Sequence, residues 1–193
     1  MSSDNTASRI LAAAHALFDA EGADAVTMRR VAAEIGLSAM AIYRHFPSRE
    51  ALLERLSNDS FEEAARHWAS HARQRDPRRR LLAMLGSYLD YALLHPHLFD
   101  HAFGLPRDGA RRFPEDFRAR RSPTLNLIAD AIVEGIAKGQ LRKVDEWDLA
   151  MDVWAHAHGL IVLYRAGRFS YDEKRFRTFY LASIGRLIDA VAN

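Results

Sequence analysis

Apolar residues recur along the chain at spacings of three and four residues, and this period predicts helices rather than strands. The first such face consists of Ile10, Ala14, Leu17 and Phe18. Capping residues, glycines and prolines divide the chain into nine predicted helices, so the pattern predicts an all-α fold. The predicted N-caps are Thr27, Ser38, Ser48, Asp76, Ser122 and Ser170, the last in a capping box with Glu173.

One segment departs from this helical pattern. Residues 105–121 contain six arginines, Gly109 and two prolines, and we expect a loop with a single helical turn after Pro114. The eighth predicted helix begins at about Glu146 and ends at Arg165. The ninth ends near Val191.

Composition narrows the class of protein. The 193 residues include no cysteine, which excludes disulfides and thiolate metal sites. No apolar run approaches the roughly 20 residues that cross a bilayer, and residues 1–9 lack the charged and apolar pattern of a signal peptide. We therefore expect a cytoplasmic protein with no membrane partner.

The charge is almost balanced, at a net +2, and residues 1–50 hold five arginines against six acidic residues. A generally basic domain is thus absent from this end of the chain. Residues 37–49, however, contain no acid, and they include Arg44, His45 and Arg49. Any binding of nucleic-acid phosphates should come from this small surface.

Residues 27–46 read as two short helices joined by a turn at Gly36, which is the layout of a helix-turn-helix. Such a unit lays its second helix in the major groove of DNA. Ala39, Met40 and Ala41 at the start of that helix are small or apolar, so they can contact thymine methyl groups without hydrogen bonding to bases. Short helix pairs of this kind also occur in proteins that never bind DNA.

Polar side chains around this helix suit contacts with the DNA backbone. Tyr43, His45 and Arg49 can reach phosphates at the edge of the groove. The Thr27 hydroxyl lies at a helix N-terminus, where an anion is stabilised. Arg29 can reach either a guanine or a phosphate.

The same stretch resembles the DNA-binding domain of the TetR family of transcriptional regulators, over about residues 9–56. The matching elements are Thr27-Met28-Arg29, Val31-Ala32, Gly36-Leu37-Ser38, Tyr43-Arg44-His45-Phe46, Arg49 and Leu52-Leu53. The resemblance implies that Arg29, Ala39, Met40 and Ala41 face bases, and that Thr27, Tyr43, His45 and Arg49 face phosphates. Ser38 and Arg44 complete the predicted DNA-binding set.

The resemblance also implies an organisation and a function. Residues 1–52 would form the DNA-binding domain and residues 53–193 a ligand-binding and dimerisation domain. The expected protein is a repressor that a small-molecule effector releases from double-stranded operator DNA. The recognition positions lack the Gln, Thr or Lys that many relatives carry there, which leaves the operator sequence open.

The last two helices are the expected dimer interface. The eighth is apolar nearly all round, and Ala155 with Gly159 makes a narrow face of small residues that another helix can approach closely. Composition alone is equally compatible with a monomeric core helix. The resemblance favours a homodimer, and Trp154, His158 and Gly159 resemble the Trp-x3-His-Gly signature of one TetR C-terminal subgroup.

An effector pocket is expected between the central helices, since helical bundles place ligands there. The candidate lining is aromatic with a few polar tips, although for any single one of these residues a place in the core is the stronger expectation. The candidates are Tyr88, Tyr91, Phe99, Phe103, Trp154 and His158.

Nine histidines leave a second interpretation open, a small-molecule- or metal-binding helical protein with hydrolase activity. His97 and His101 have the i, i+4 spacing that can chelate an ion, whereas His156 and His158 point in nearly opposite directions on a helix. No nucleophile motif, glycine-rich phosphate loop or carboxylate pair is present. We therefore predict no catalytic residue, no metal ligand and no cofactor.

Overall fold

A computed structural model describes residues 3–103 and 110–193, except the side chains of residues 3, 4, 61, 72 and 73. The described part is all-α, which confirms the predicted class, and an isolated bridge pairs Leu141 with Ala192. Its α-helices are α1 (Ser3–Glu21), α2 (Met28–Glu34), α3 (Ala39–Tyr43), α4 (Arg49–Ala69), α5 (Pro77–Leu94), α6 (Pro96–Phe103), α7 (Glu115–Arg118), α8 (Pro123–Ala137), α9 (Glu146–Arg165) and α10 (Glu173–Asp189).

The nine predicted helices are all present, and α7 is the single turn expected after Pro114. The count within the described residues is therefore ten rather than nine. Residues 105–109 of the predicted loop lie outside the described residues. Short 3₁₀ helices at Ala23–Ala25 and Ser70–Arg73 precede α2 and follow α4.

Local capping explains where the first helices begin. The Thr27 and Ser38 side chains accept hydrogen bonds from the backbone N–H groups of Arg30 and Ala41, at 3.2 and 3.3 Å. Gly22 and Gly36, with φ of 83° and 69°, follow α1 and α2 in the left-handed region that favours glycine. These caps agree with the sequence prediction.

The cap of the last helix corrects a prediction. Ser170 and Glu173 do not form a capping box, because Glu173 is itself the first residue of α10. Asp172 is the N-cap, and its carboxylate accepts a hydrogen bond from the Arg175 N–H at 2.7 Å. The Asp172 carboxylate is nearer to the start of the helix than the Ser170 hydroxyl, and it is the stronger hydrogen-bond acceptor. The helix ends at Asp189, slightly before the predicted end.

The chain divides into two compact units. Unit 1 comprises Met1–Phe61 and Ala92–Asp108, and unit 2 comprises Glu62–Tyr91 and Gly109–Asn193. The core of unit 1 brings together the apolar faces of α1, α2, α3, α4 and α6. Its most completely buried side chains include Ile10, Phe18, Val31, Ile42, Leu52, Leu56 and Phe99.

Unit 2 is held together by α5, α8, α9 and α10. Ala157 and Ile161 of α9 are fully buried, and the Tyr180 hydroxyl of α10 donates to the Leu85 carbonyl of α5 at 2.9 Å. His156 and Ser183 join α9 to α10, with Nε2 and Oγ 2.9 Å apart. These two hydrogen bonds tie α10 to α5 and to α9.

Candidate nucleic-acid interface

Helix α3, the predicted recognition helix, has one face in the core of unit 1 and the other in solvent. Ile42 is fully buried, and Phe46 just after the helix is buried as well. Met40 is 68 % exposed and Tyr43 is 49 % exposed, an unusual placement for large apolar side chains in a helix of five residues. The helix therefore presents an apolar and aromatic surface outward from a fixed base.

A concave surface of about 680 Å³ lies beside this helix. Its lining consists of Thr27, Met28, Arg29, Arg30, Ala39, Tyr43 and Arg49. Five of the ten predicted DNA-binding residues are therefore brought together in unit 1. The other five are on α3 or at its ends: Ser38, Met40 and Arg44 are exposed, and Ala41 and His45 are half-buried.

Two neighbouring arginines of α2 differ in their partners. Arg30 binds both carboxylate oxygens of Glu21, at 2.7 and 3.0 Å. This pairing raises the pKa of Arg30 and lowers the pKa of Glu21, in both cases chiefly through the hydrogen bonds. Arg29 is exposed and makes no hydrogen bond or ion pair within the described residues. Of the two guanidinium groups, that of Arg29 is the one available to a ligand.

Arg49 has contacts that the sequence did not reveal. Its Nε donates to the Val26 carbonyl at 2.8 Å and its Nη2 to the Ala23 carbonyl at 2.6 Å. Arg9 of α1 likewise donates to the Ile35 carbonyl at 2.9 Å. Both arginines bind backbone 23 to 26 residues away in sequence, so no local pattern could have indicated these bonds.

The six predicted effector-lining residues are divided between the two units. Phe99 and Phe103 lie in unit 1, where their ring centres are 5.1 Å apart. Tyr88, Tyr91, Trp154 and His158 lie in unit 2. That all six residues line one effector pocket remains a prediction.

Three of the four residues in unit 2 form a polar–aromatic cluster. The Tyr88 hydroxyl and His158 Nδ1 are 2.9 Å apart, and the ring centres of Trp154 and His158 are 5.9 Å apart. Burial raises the pKa of Tyr88 far above its usual value and lowers the pKa of His158. Both side chains are therefore neutral at pH 7. Trp68, which the sequence reasoning missed, packs edge-on against Tyr88.

One face of α9 is open to solvent within this chain. Asp152 and Ala155 are exposed, and Val162 and Leu163 are 44 % and 47 % exposed. A Cβ atom added at Gly159 would meet nothing within 4 Å. The small-residue face expected from the sequence therefore exists, and it is followed by two exposed apolar side chains.

The described residues contain no group of three or more His, Asp or Glu side chains that could hold a metal ion. The Nδ1 atoms of His15 and His95 lie 3.2 and 3.3 Å from the Asp19 carboxylate oxygens. No helix in the described ranges is long and apolar enough to cross a membrane.

Comparison with known proteins connects this geometry to a family. The model for bacterial regulatory proteins of the tetR family matches residues 10–56. The model for the tetracyclin repressor-like C-terminal domain matches residues 81–185, more than half of the chain. The matches cover the helix-turn-helix and nearly all of α5 to α10.

Individual proteins similar to this chain are also HTH-type transcriptional regulators. The chain is 45 % identical to the HTH-type transcriptional repressor DrrR1 of Streptomyces coeruleorubidus over 49 residues, which are 25 % of this chain and only 18 % of DrrR1. It is 27 % identical over 162 residues to the HTH-type transcriptional regulator Rv0681 of Mycobacterium tuberculosis, covering 82 % of this chain and 69 % of that protein.

The fold has a solved counterpart in a protein of unknown function from Rhodococcus sp. RHA1. The TM-score is 0.80 at 23 % identity, with 97 % of this chain and 95 % of that chain covered. With both family models matched and an outward-facing recognition helix in unit 1, the chain belongs to the TetR family of DNA-binding transcriptional regulators.

Proposed function

We propose that the protein acts as a homodimeric repressor that binds operator DNA through α3 and leaves it when a small-molecule effector binds. Residues 1–52 would form the DNA-binding domain and residues 53–193 the ligand-binding and dimerisation domain. The observation that carries the proposal is the exposure of Met40 and Tyr43 on a helix whose opposite side is anchored by buried Ile42. As a regulator that must reach the chromosome, it would work in the cytoplasm and have no enzymatic activity.

In the proposed complex, α3 enters the major groove. Ala39, Met40 and Ala41 contact base edges through apolar atoms, chiefly thymine methyl groups. Arg29 supplies a hydrogen-bonding contact to a base, for which its guanidinium is suited because it has no partner among the residues that the structure describes.

The remaining polar residues fix the position of the protein on the duplex. Thr27, Tyr43 and His45, together with Ser38 and exposed Arg44, would contact the phosphate backbone, which sets register without reading sequence. We leave Arg49 out of this phosphate-binding set, because its guanidinium already donates to two backbone carbonyls.

Dimerisation would use the open face of α9 together with α10. Gly159 and Ala155 allow a second helix to come close, and Val162 and Leu163 would become buried. Two-fold symmetry then presents two copies of α3 to half-sites about one helical turn apart, roughly 34–36 Å.

The effector would act on the neutral cluster of Tyr88, Trp154 and His158 in unit 2. Helix α4 contributes residues to both units, so we propose that a displacement of α4 transmits binding to the recognition helices. The effector can do this only if it binds the DNA-incompetent state more tightly. Liganded and free structures with the same spacing between the two copies of Tyr43 would contradict this mechanism.

Selection of bound DNA from a random pool tests the docking and the dimer together. We expect a palindromic consensus with half-site centres about one turn of DNA apart. Repeating the selection with Gly159→Glu, which places a charge on the proposed dimer face, should leave isolated half-sites. No enriched sequence, and no DNA retardation at low salt, would refute DNA binding. A non-palindromic consensus would refute only the symmetric dimer.

A further inference from the structure

Both ends of α2 are held by arginines from other helices of unit 1. At its N-terminal side, Arg49 of α4 donates to the carbonyls of Val26 and Ala23, at 2.8 and 2.6 Å. At its C-terminal side, Arg9 of α1 donates to the carbonyl of Ile35, the C-cap residue, at 2.9 Å. The helix between these two anchors is only seven residues long.

The Arg49 contact requires the shape of a guanidinium group. Nε–H and one Nη–H lie on the same edge of a planar group. Here they reach the carbonyl of Ala23, the first residue of the 3₁₀ helix, and that of Val26, which follows this helix and precedes Thr27. A lysine ammonium is a compact point charge and lacks this rigid two-pronged edge. Arg49, the first residue of α4, is thereby tied to residues 23–26, and the next residue, Thr27, caps α2.

The same hydrogen bonds leave Arg49 poorly suited to a phosphate. Its side chain is 32 % exposed, and Asp24 lies at 3.8 Å from Nη2. A bidentate phosphate contact uses two N–H groups in parallel, and the edge formed by Nε and Nη2 of Arg49 is already bonded to backbone carbonyls. A phosphate on the other edge, between Nη1 and Nη2, would lie next to the Asp24 carboxylate, which repels it.

The orientation of α3 depends on α2. Helix α3 has five residues, too few to be stable in isolation. It packs on α2, its Ile42 is fully buried, and the two helices share the turn that begins at Ile35. Holding both ends of α2 therefore fixes the base on which α3 rests.

We infer that Arg49 and Arg9 are positioning residues for DNA recognition, and that Arg49 is not a phosphate contact. They act through α2 by keeping α3 at the angle that the groove requires. This inference rests on the proposed DNA binding.

Salt dependence separates the two roles. A side chain that neutralises a phosphate releases a counterion from the DNA. Removing such a side chain therefore makes the negative slope of log K against log salt shallower by about one. A positioning residue lowers affinity by reducing the population of the competent arrangement, and the slope stays the same. Fluorescence anisotropy with a labelled duplex carrying the consensus selected by the wild-type protein measures both quantities.

The variants are Arg49→Lys, Arg49→Gln and Arg9→Gln, with Arg44→Gln as the matched control for loss of a phosphate contact. We expect Arg49→Lys to bind about tenfold more weakly although it keeps the charge. Arg49→Gln and Arg9→Gln should weaken binding to a similar extent, with the wild-type slope. Arg44→Gln should reduce the slope by about one.

Two outcomes overturn the inference: wild-type affinity in Arg49→Lys, or a slope reduced by about one in Arg49→Gln. Circular dichroism establishes that each variant is folded, and if Arg49→Gln unfolds, the charge-conserving Arg49→Lys still decides the question. If the wild-type protein binds no duplex, the proposed function has failed rather than the role of Arg49.

Discussion

Arg29→Ala and Arg30→Ala form a matched pair for testing which side chain reads the DNA sequence. The residues are neighbours on α2, both are exposed, and each substitution removes one positive charge. They differ in that Arg30 is bound to both oxygens of Glu21, whereas Arg29 has no hydrogen bond or ion pair within the described residues. A difference between the variants in base preference therefore reports on contact rather than on charge.

The expected magnitude follows from the contact that each group can make. A bidentate contact between arginine and guanine contributes about 1–3 kcal/mol of discrimination, which corresponds to a factor of about 5 to 150. Arg29→Ala should lose this factor at one base pair of each half-site. Arg30→Ala should keep the wild-type order of preference, because its guanidinium is already engaged by Glu21.

Competition anisotropy at one fixed salt concentration provides the measurement. The competitors are duplexes that carry the selected consensus with a single base pair changed at each position in turn. A base-reading role for Arg29 is refuted if Arg29→Ala ranks the competitors as the wild-type protein does. The contrast between the two arginines is refuted if Arg30→Ala alters the ranking.

Three further predictions concern other parts of the molecule. Tyr43→Ala should weaken binding to unrelated duplexes by a common factor in anisotropy titrations, and a changed ranking would contradict a phosphate contact. Gly159→Glu should give a monomer in sedimentation equilibrium, and this monomer should be folded because a Cβ at this position meets nothing within 4 Å. Gly159→Ala should stay dimeric. A dimer of wild-type affinity in Gly159→Glu would count against the interface. Burial lowers the pKa of His158, so the unfolded state binds more protons and the free energy of unfolding should decrease as the pH falls below about 6.5. His158→Phe should make this decrease smaller in urea titrations, and an unchanged pH dependence would refute the argument.

Local features of this protein were predictable from the sequence. Thr27, Ser38 and Ser48 each cap the helix expected after them, since a capping hydrogen bond joins residues only three apart. The one failure at this level, Ser170, lay two residues from an aspartate that competes for the same helix start. The position of helix α3 in the sequence was predictable as well, because the family pattern that surrounds it is one continuous stretch of the chain.

Contacts between distant parts of the chain were not predictable. Arg49 is predicted as a phosphate ligand because residues 37–49 contain no acid, but only the fold brings the Ala23 and Val26 carbonyls to it. The Tyr88–His158 bond joins residues 70 apart. A sequence pattern assigns a residue type to a face, but the partner across that face depends on tertiary packing.

The apolar residues at the start of α3, Ala39, Met40 and Ala41, have a consequence for how chemical modification of the operator would affect binding. A thymine methyl group and the methyl group of 5-methylcytosine project from the same ring position into the major groove. Met40, 68 % exposed in the free protein, would contact either one through the same atoms. In the proposed complex, a methylated cytosine under α3 would therefore offer Met40 the same methyl contact as thymine. The affinity for the operator would then depend on DNA methylation as well as on the effector.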